Sequence, residues 1–203
     1  MDLNSYKKTE YTYNDGIIQT RFYTKNGKFD GVYQTWHPNG TLEMEKHYIN
    51  GKLNGPYLRY YPNGQMEEEK TFHDGNEDGL FQRWYDNGNI EQKVNYTNGK
   101  EDGIYRKWFR SGQLEMKMKY VNGVLHGKYK TWYDNGQLEI KTTYKDGDFH
   151  GKYKQWYSNG NLQQKTYYKE GEMHGKCTCF FENGRTDYRC IYEDGVAKNY
   201  SFV

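Results

Sequence analysis

Polar and aromatic positions alternate in short runs along the whole chain, and glycine-containing turns separate these runs. Glycine recurs at fixed 24-residue steps in three columns, which together hold all 23 glycines. One column is Gly31, Gly55, Gly79, Gly103, Gly127, Gly151 and Gly175. A glycine confined to fixed columns indicates a backbone requirement, because only glycine enters positive φ without strain. The period predicts seven repeating units of one β-hairpin each.

Each unit contains two turn signals. The first is Pro38-Asn39-Gly40 and its equivalents, and the second is Asn50-Gly51 and its equivalents. Asn-Gly between alternating runs is a strong hairpin signal. Proline at position 38 suits a type I turn and lacks an N–H, so we expect a three-residue loop that ends in a glycine bulge. We therefore expect an all-β fold, an elongated single-layer antiparallel meander of about fifteen strands.

The three-residue loop also predicts the register of each hairpin. It places Trp36 opposite Leu42, and it pairs charged residues such as Arg59 with Glu67, Arg83 with Glu91 and Lys107 with Glu115. A two-residue turn would instead set Lys130 opposite Lys141 and Lys154 opposite Lys165. We consider this second register weaker, because like charges directly opposite each other are destabilising.

A structural stripe of aromatic and aliphatic side chains follows from the first register. The tyrosine column that begins at Tyr33 flanks this stripe. The aromatic members of the stripe are Trp36, Tyr60, Trp84, Trp108, Trp132 and Trp156. We expect the stripe to serve packing, although aromatic ladders also bind ligands by stacking. Residues 1–203 are predicted to form a single repeat array. Within it, 1–30 are an N-terminal partial repeat or cap, 31–174 six full repeats, and 175–203 a degenerate C-terminal repeat or cap.

Composition excludes disorder and limits the partners. Aromatic residues make up 18% of the chain, which is far from the composition of disordered segments. The net charge of +2 is too small to predict nucleic-acid binding, but residues 55–102 are acidic and residues 103–174 are basic. The N-terminal residues lack the apolar run of a signal peptide, and no stretch is apolar enough to span a membrane. We expect a cytoplasmic protein, in the host cytosol if the source is viral.

No constellation of residues predicts catalysis, a metal or a cofactor. His126, His150 and His174 form a column whose members are about 10 Å apart, too far for one ion, and we expect them to bond backbone groups near a turn. Cys177 and Cys190 could form a disulfide only in the two-residue register. The glutamate column that begins at Glu43 is explained by cross-strand pairing, so we expect no enzyme.

A resemblance adds to this interpretation. The unit from Gly151 to Leu162, with its Trp-Tyr-Ser-Asn-Gly turn, and the following Gly171–Gly175 segment resemble the MORN repeat. The 24-residue period is more similar to the variant repeat of bacterial YwqK-type antitoxin proteins and of many giant-virus proteins. The resemblance implies a single-layer sheet that serves protein partners or, in some MORN proteins, membranes. It implies no catalytic motif.

These observations predict a non-enzymatic protein-binding or scaffolding protein. Its candidate partner surface is Arg106, Lys130 and Lys154, in the basic half of the chain. The partner would be a protein whose identity the sequence does not reveal, and an inhibited toxin if the antitoxin label applies. Alternatives are weak association with anionic membranes and ligand binding by the aromatic ladder. Self-association through an open edge strand is a further expectation.

Overall fold

The computed structural model describes residues 6–202 and divides into two compact units, with the boundary between Lys100 and Glu101. Residues 1–5 of the predicted N-terminal cap and residue 203 of the predicted C-terminal cap lie outside the described residues. All the regular secondary structure among these described residues is β-strand. The all-β fold class is therefore confirmed. The boundary after Lys100 was not expected, because the 24-residue period continues through it.

The strands of the first unit are β1 (Lys7–Thr12), β2 (Ile18–Lys25), β3 (Lys28–Trp36), β4 (Leu42–Ile49), β5 (Lys52–Tyr60), β6 (Met66–His73), β7 (Asn76–Glu77), β8 (Gly79–Trp84) and β9 (Ile90–Thr97). The strand β10 (Lys100–Glu101) spans the boundary. The strands of the second unit are β11 (Gly103–Trp108), β12 (Leu114–Val121), β13 (Val124–Leu125), β14 (Gly127–Trp132), β15 (Leu138–Lys145), β16 (Asp148–Phe149), β17 (Gly151–Trp156), β18 (Leu162–Lys169), β19 (Glu172–Met173), β20 (Gly175–Phe180), β21 (Thr186–Glu193) and β22 (Val196–Phe202).

Within each unit, strands pair antiparallel with their neighbours along the chain. In the first unit β3 pairs with β4 and β4 with β5. In the second unit β14 pairs with β15, and β15 pairs with both β16 and β17. Each unit is therefore an antiparallel meander in a single layer, as predicted.

The first turn of each hairpin has the predicted three-residue loop. The N–H of Gly40 donates to the carbonyl of His37 at 2.9 Å, and the N–H of His37 donates to the carbonyl of Thr41 at 2.9 Å. Gly40 has φ of 82°, the left-handed conformation that a glycine bulge requires. Trp36 lies opposite Leu42, so the register next to the turn is confirmed.

One residue beyond that pair, the register changes. Trp36 pairs with Leu42, but Thr35 pairs with Met44, which leaves Glu43 as an extra residue in its strand. This β-bulge recurs after Arg59, Arg83, Lys107, Thr131, Gln155 and Cys179. The recurring glutamates are therefore bulge residues, and the prediction that they form direct cross-strand pairs is wrong.

The bulge gives the predicted charged pairs different partners. Arg59 lies opposite Glu68, Arg83 opposite Gln92, and Lys107 opposite Met116. The side chains of Glu67 and Glu115 still reach Arg59 and Lys107 diagonally, at 3.2 and 3.0 Å. A set that we had rejected is observed instead, with Lys130 opposite Lys141 and Lys154 opposite Lys165.

The second turn is a two-residue loop, and a further irregularity follows it. Asn50 and Gly51 both have positive φ, 50° and 84°, as a type I′ hairpin requires. Beyond the next turn of this kind, Phe72 pairs with Glu77 but Glu69 pairs with Gln82, so the second strand contains two extra residues. This wide bulge splits the strand into β7 and β8, and the same split recurs in later repeats. These five short strands, β7, β10, β13, β16 and β19, account for most of the difference between the 22 strands observed and the fifteen or so predicted.

Consecutive repeats are joined by side chains of the first turn. The hydroxyl of Tyr61 donates to the carbonyl of Trp84 at 2.8 Å, and the amide of Asn63 donates to the carbonyl of Asp86 at 3.1 Å. In the second unit Tyr133 and Asn135 bond the next repeat in the same way. Tyrosine and asparagine in the Trp-Tyr-x-Asn-Gly turn are therefore inter-repeat contacts as well as turn formers.

The two sides of the sheet differ in burial. On one side, which we call the tyrosine face, rings pack in pairs such as Tyr105 with Tyr120 and Tyr153 with Tyr168. The buried apolar residues Phe81, Val94, Met118, Cys177 and Cys190 belong to the columns of this face in their own units. Side chains alternate along a strand, so Trp108 lies on the opposite side from Tyr105. The tyrosine column and the tryptophan column therefore lie on opposite faces. The prediction that the tyrosines flank the tryptophan stripe is wrong.

Candidate functional site

A row of basic side chains crosses the second unit on the side opposite the tyrosine face. We call it the basic row, and we call this side of the second unit the basic face. Each member lies directly opposite the next in the strand pairing, with Thr178 as the only neutral position. Its seven cations are Arg106, Lys117, Lys130, Lys141, Lys154, Lys165 and Arg189. Adjacent strands lie about 4.8 Å apart, so this is a closely spaced line of positive charge.

Toward the first turns, the positions two residues from the row include the acidic residues Glu115, Glu139 and Asp187, of which Glu115 pairs with Lys107. The positions two residues away on the other side of the row are Ile104, Lys119, Lys128, Thr143, Lys152, Tyr167, Lys176 and Ile191. None of them is acidic. Among the described residues, no ion pair involves a cation of the basic row. Lys141, Lys154, Lys165 and Arg189 are exposed to solvent.

The structure brings together all three residues of the predicted partner surface. Arg106 and Lys130 both lie opposite Lys117, and Lys154 lies opposite Lys141. The other four members of the row were not predicted from the sequence, because the register that aligns them places lysine opposite lysine. They are Lys117, Lys141, Lys165 and Arg189. That register was itself the signal for the row.

The tryptophan column lies beside the basic row, on the same face. In the last repeat the ammonium of Lys165 lies 5.5 Å from the ring centroid of Phe180, which stands in the tryptophan column. The guanidinium of Arg21 lies 5.1 Å from the ring of Trp36 in the equivalent arrangement of the first unit. The six members of the predicted stripe, Trp36, Tyr60, Trp84, Trp108, Trp132 and Trp156, are all half-buried.

The first unit contains a charged cluster of a different kind, on its tyrosine face. The buried carboxylate of Glu68 accepts hydrogen bonds from Arg83 at 2.6 Å and pairs with Lys70 at 3.0 Å. Lys70 also pairs with Glu77 at 2.9 Å and lies 4.9 Å from the ring of Tyr57. Burial acts to raise the pKa of Glu68, but the hydrogen bonds from Arg83 and Lys70 outweigh it and lower that pKa. This cluster is internally neutralised, unlike the basic row.

The histidine column lies at the turns. His126 Nδ1 lies 3.3 Å from a carboxylate oxygen of Asp146, a side chain rather than the predicted backbone group. Asp78, in the same column, accepts a hydrogen bond from the backbone N–H of Asn98 at 3.1 Å. Among residues 6–202, no group of three or more His, Cys, Asp or Glu side chains is arranged to hold a metal ion.

The three cysteines are free thiols. Cys177 lies directly opposite Cys190. The prediction that this pairing requires a two-residue first turn is wrong, because the bulge shifts the pairing by one residue beyond the three-residue loop. Burial raises the pKa of Cys190 and raises that of Cys179 to about 11. The thiols of Cys179 and Cys190 are therefore protonated at neutral pH and act as small apolar groups in the last repeat. No helix among the described residues is long and apolar enough to cross a membrane.

Six segments of the chain match the MORN repeat variant: 29–50, 53–74, 77–98, 101–122, 125–146 and 149–170. Each match begins in the strand before a first turn and ends in a second turn. The chain belongs to the MORN repeat variant family. MORN repeats are in general modules that bind proteins or membranes, so the basic face is a candidate for such binding.

No curated protein is significantly similar to this MORN protein. Among solved structures, a chain in the "Crystal Structure of TcdB2-TccC3-Cdc42" is similar over 95% of this chain and 13% of that chain. The identity is 14% and the TM-score is 0.27. This protein thus spans a small part of that chain's length, and nothing about its own function follows.

Proposed function

We propose that this MORN protein is a non-enzymatic protein-binding module, and that the basic row docks an acidic segment of a partner protein. The observation that carries the proposal is the line of seven cations in register on one face, none of which forms an ion pair among the described residues. Such a line attracts an acidic partner and accelerates its diffusional encounter. An acidic toxin, which the antitoxin resemblance implies, would be one partner of this class.

The energetics of the row support a binding role. Neighbouring positions of the row are about 5 Å apart at the backbone, and two unit charges at that distance would repel by about 0.8 kcal/mol in bulk water. Like charges directly opposite in a sheet weaken the sheet, whereas alternating charges would strengthen it. A bound acidic segment would neutralise the row.

The test is a titration with labelled poly-L-glutamate of about twenty residues, followed by fluorescence anisotropy at 50 and 300 mM NaCl. We expect binding that weakens at high salt, because salt screens exposed charges. The triple variant Arg106→Glu/Lys130→Glu/Lys154→Glu should lose it. A matched control reverses the charge of the exposed lysines Lys145 and Lys169, which lie at strand ends outside the row. Equal binding by the triple variant and the control would overturn the proposal.

Membrane association is the second candidate, because the half-buried tryptophans lie beside the basic row. Aromatic and basic residues together are typical of surfaces that bind anionic lipid. The wild type, the triple variant and the control are therefore tested for co-sedimentation with vesicles that contain 30% phosphatidylserine. Retention on vesicles without binding of poly-L-glutamate would assign the basic face to lipid instead of protein.

A further inference from the structure

A groove of about 940 Å³ lies at one end of the basic face, across β17, β18, β20 and β21. One wall belongs to the basic row, where Lys154 lies opposite Lys165 and Thr178 opposite Arg189. The other wall lies two residues away along the strands, where Lys152 lies opposite Tyr167 and Lys176 opposite Ile191. The residues between the walls, such as Thr166 and Cys177, point their side chains to the tyrosine face. Backbone therefore forms the floor.

The two walls differ in chemistry. The wall that belongs to the basic row is cationic at three of its four positions. The second wall alternates a cation with an apolar side chain, in the order Lys152, Tyr167, Lys176, Ile191. Tyr167 and Ile191 are 39% and 38% exposed, and they are among the most exposed large apolar residues of the second unit's strands. No acidic residue lines the groove.

We infer that this groove holds a short acidic segment of the partner protein in an extended conformation, with an apolar side chain among its acidic ones. The inference rests on the proposed function and specifies where the partner's key segment lies. It assigns Lys152, Lys176 and Tyr167 a role in recognition, although none of them belongs to the basic row.

The dimensions favour an extended chain. Residues two apart along a strand are about 6.6 Å apart, which is the separation of the two walls at the backbone. An extended peptide sends alternate side chains to opposite sides, so a chain that runs along the groove places one set on each wall. Five strands at about 4.8 Å spacing, with β22 included, extend over about 19 Å. Six extended residues span about 20 Å.

The chemistry of the walls predicts the pattern of the segment. Side chains directed to the basic row should all be acidic, because that wall offers three cations and the hydroxyl residues Thr178 and Ser201. Side chains directed to the other wall should include both acidic and apolar ones, because that wall presents Lys152 and Lys176 beside Tyr167. The peptide Glu-Glu-Glu-Leu-Glu-Glu satisfies both conditions.

The experiment measures binding of that fluorescein-labelled peptide by anisotropy at 50 mM NaCl. A peptide of six residues is too short to form a stable helix, so its binding reports an extended chain. The variant Lys152→Glu/Lys176→Glu should weaken binding at least tenfold, while Arg106→Glu/Lys130→Glu, outside the groove, should change it less than threefold. Replacing the leucine with serine should weaken binding about fivefold in the wild type and have no effect in Tyr167→Ala.

The outcomes separate this inference from the proposed function. Binding that depends on Arg106 and Lys130 but not on Lys152 and Lys176 would overturn the groove assignment and leave the basic row as the partner surface. No binding of either acidic peptide would overturn both. Analytical ultracentrifugation of the protein without peptide tests whether a second copy of this chain occupies the groove. A salt-sensitive dimer that Lys152→Glu/Lys176→Glu abolishes would assign the groove to self-association and overturn the inference.

Discussion

Lys130 lies directly opposite Lys141 in the antiparallel pair of β14 and β15. This pair is the centre of a row in which repulsion is repeated from strand to strand. A sheet selected for stability alone would alternate the charges, because opposite charges in such pairs contribute about 0.2–1 kcal/mol. The row is therefore a cost to folding, and its retention is best explained by a partner.

Neutralising one of these lysines should stabilise the protein. Lys141→Gln removes the repulsion with Lys130 and Lys154 and should raise the free energy of unfolding by about 0.5 kcal/mol. Urea unfolding followed by tryptophan fluorescence measures the change. Lys145→Gln, at the end of the same strand, is the matched control: Lys145 lies opposite Asp148, so this variant should be slightly destabilised instead. Added NaCl should stabilise the wild type more than the variant, since it screens the same repulsion. A destabilised Lys141→Gln variant would contradict this account of the row.

The link between repeats at the first turn should be measurable in both directions. Tyr61→Phe removes the hydroxyl that donates to the carbonyl of Trp84 and should lower the free energy of unfolding by about 1 kcal/mol. Phe109 occupies the same column in a later repeat and lacks the hydroxyl. Phe109→Tyr should therefore gain the equivalent bond to Trp132 and raise stability. If neither variant shifts the urea midpoint, the bond contributes nothing to the stacking of repeats.

The turns could be predicted from sequence because their chemistry is local. Gly40 needs positive φ, and Pro38 suits a type I turn, whatever the rest of the sheet does. The bulge at Glu43 has no such signal, because a glutamate between Leu42 and Met44 reads as an ordinary exposed strand residue. A slip of one residue moves every later pair to a new partner. The turn was therefore predicted correctly and the pairs beyond it were not.

The candidate site shows the same limit. Arg106, Lys130 and Lys154 stand out by charge alone, because they repeat in one column of the basic half. Their neighbours Lys117 and Lys141 join them only through the register, which was judged by pair energies of well under 1 kcal/mol. The tyrosine face outweighs those energies, because it buries side chains such as Phe81 and Met118. Burial of one aromatic side chain is worth about 1.5–3 kcal/mol. Packing on one face thus decides which charges meet on the other.

The ion cluster of the first unit should make its stability depend on pH. The pKa of Glu68 is lower in the folded protein than in the unfolded chain, so its contribution is present above the unfolded value of about 4.3 and is lost as the pH falls through the folded value. Glu68→Gln should lower the free energy of unfolding at pH 7 by about 1–2 kcal/mol, because Arg83 and Lys70 lose a charged partner. It should also reduce the slope of stability between pH 5 and pH 3. Glu69→Gln, exposed on the opposite side, is the control. An unchanged slope in Glu68→Gln would show that the cluster does not contribute.

Glu170 is an unfavourable residue for the turn that it occupies. It has φ of 52° in a type I′ position where the other repeats place asparagine or aspartate, as in Asn122 and Asp146. Side chains longer than these tolerate the left-handed region poorly, because Asn and Asp can hydrogen-bond locally there. Glu170→Asn should therefore raise the free energy of unfolding by about 0.5–1 kcal/mol, as judged by the urea midpoint. Asn122→Glu creates the same strain in an earlier repeat and should lower stability by a similar amount. If both substitutions left the midpoint unchanged, the left-handed conformation at these turns would carry no cost for glutamate.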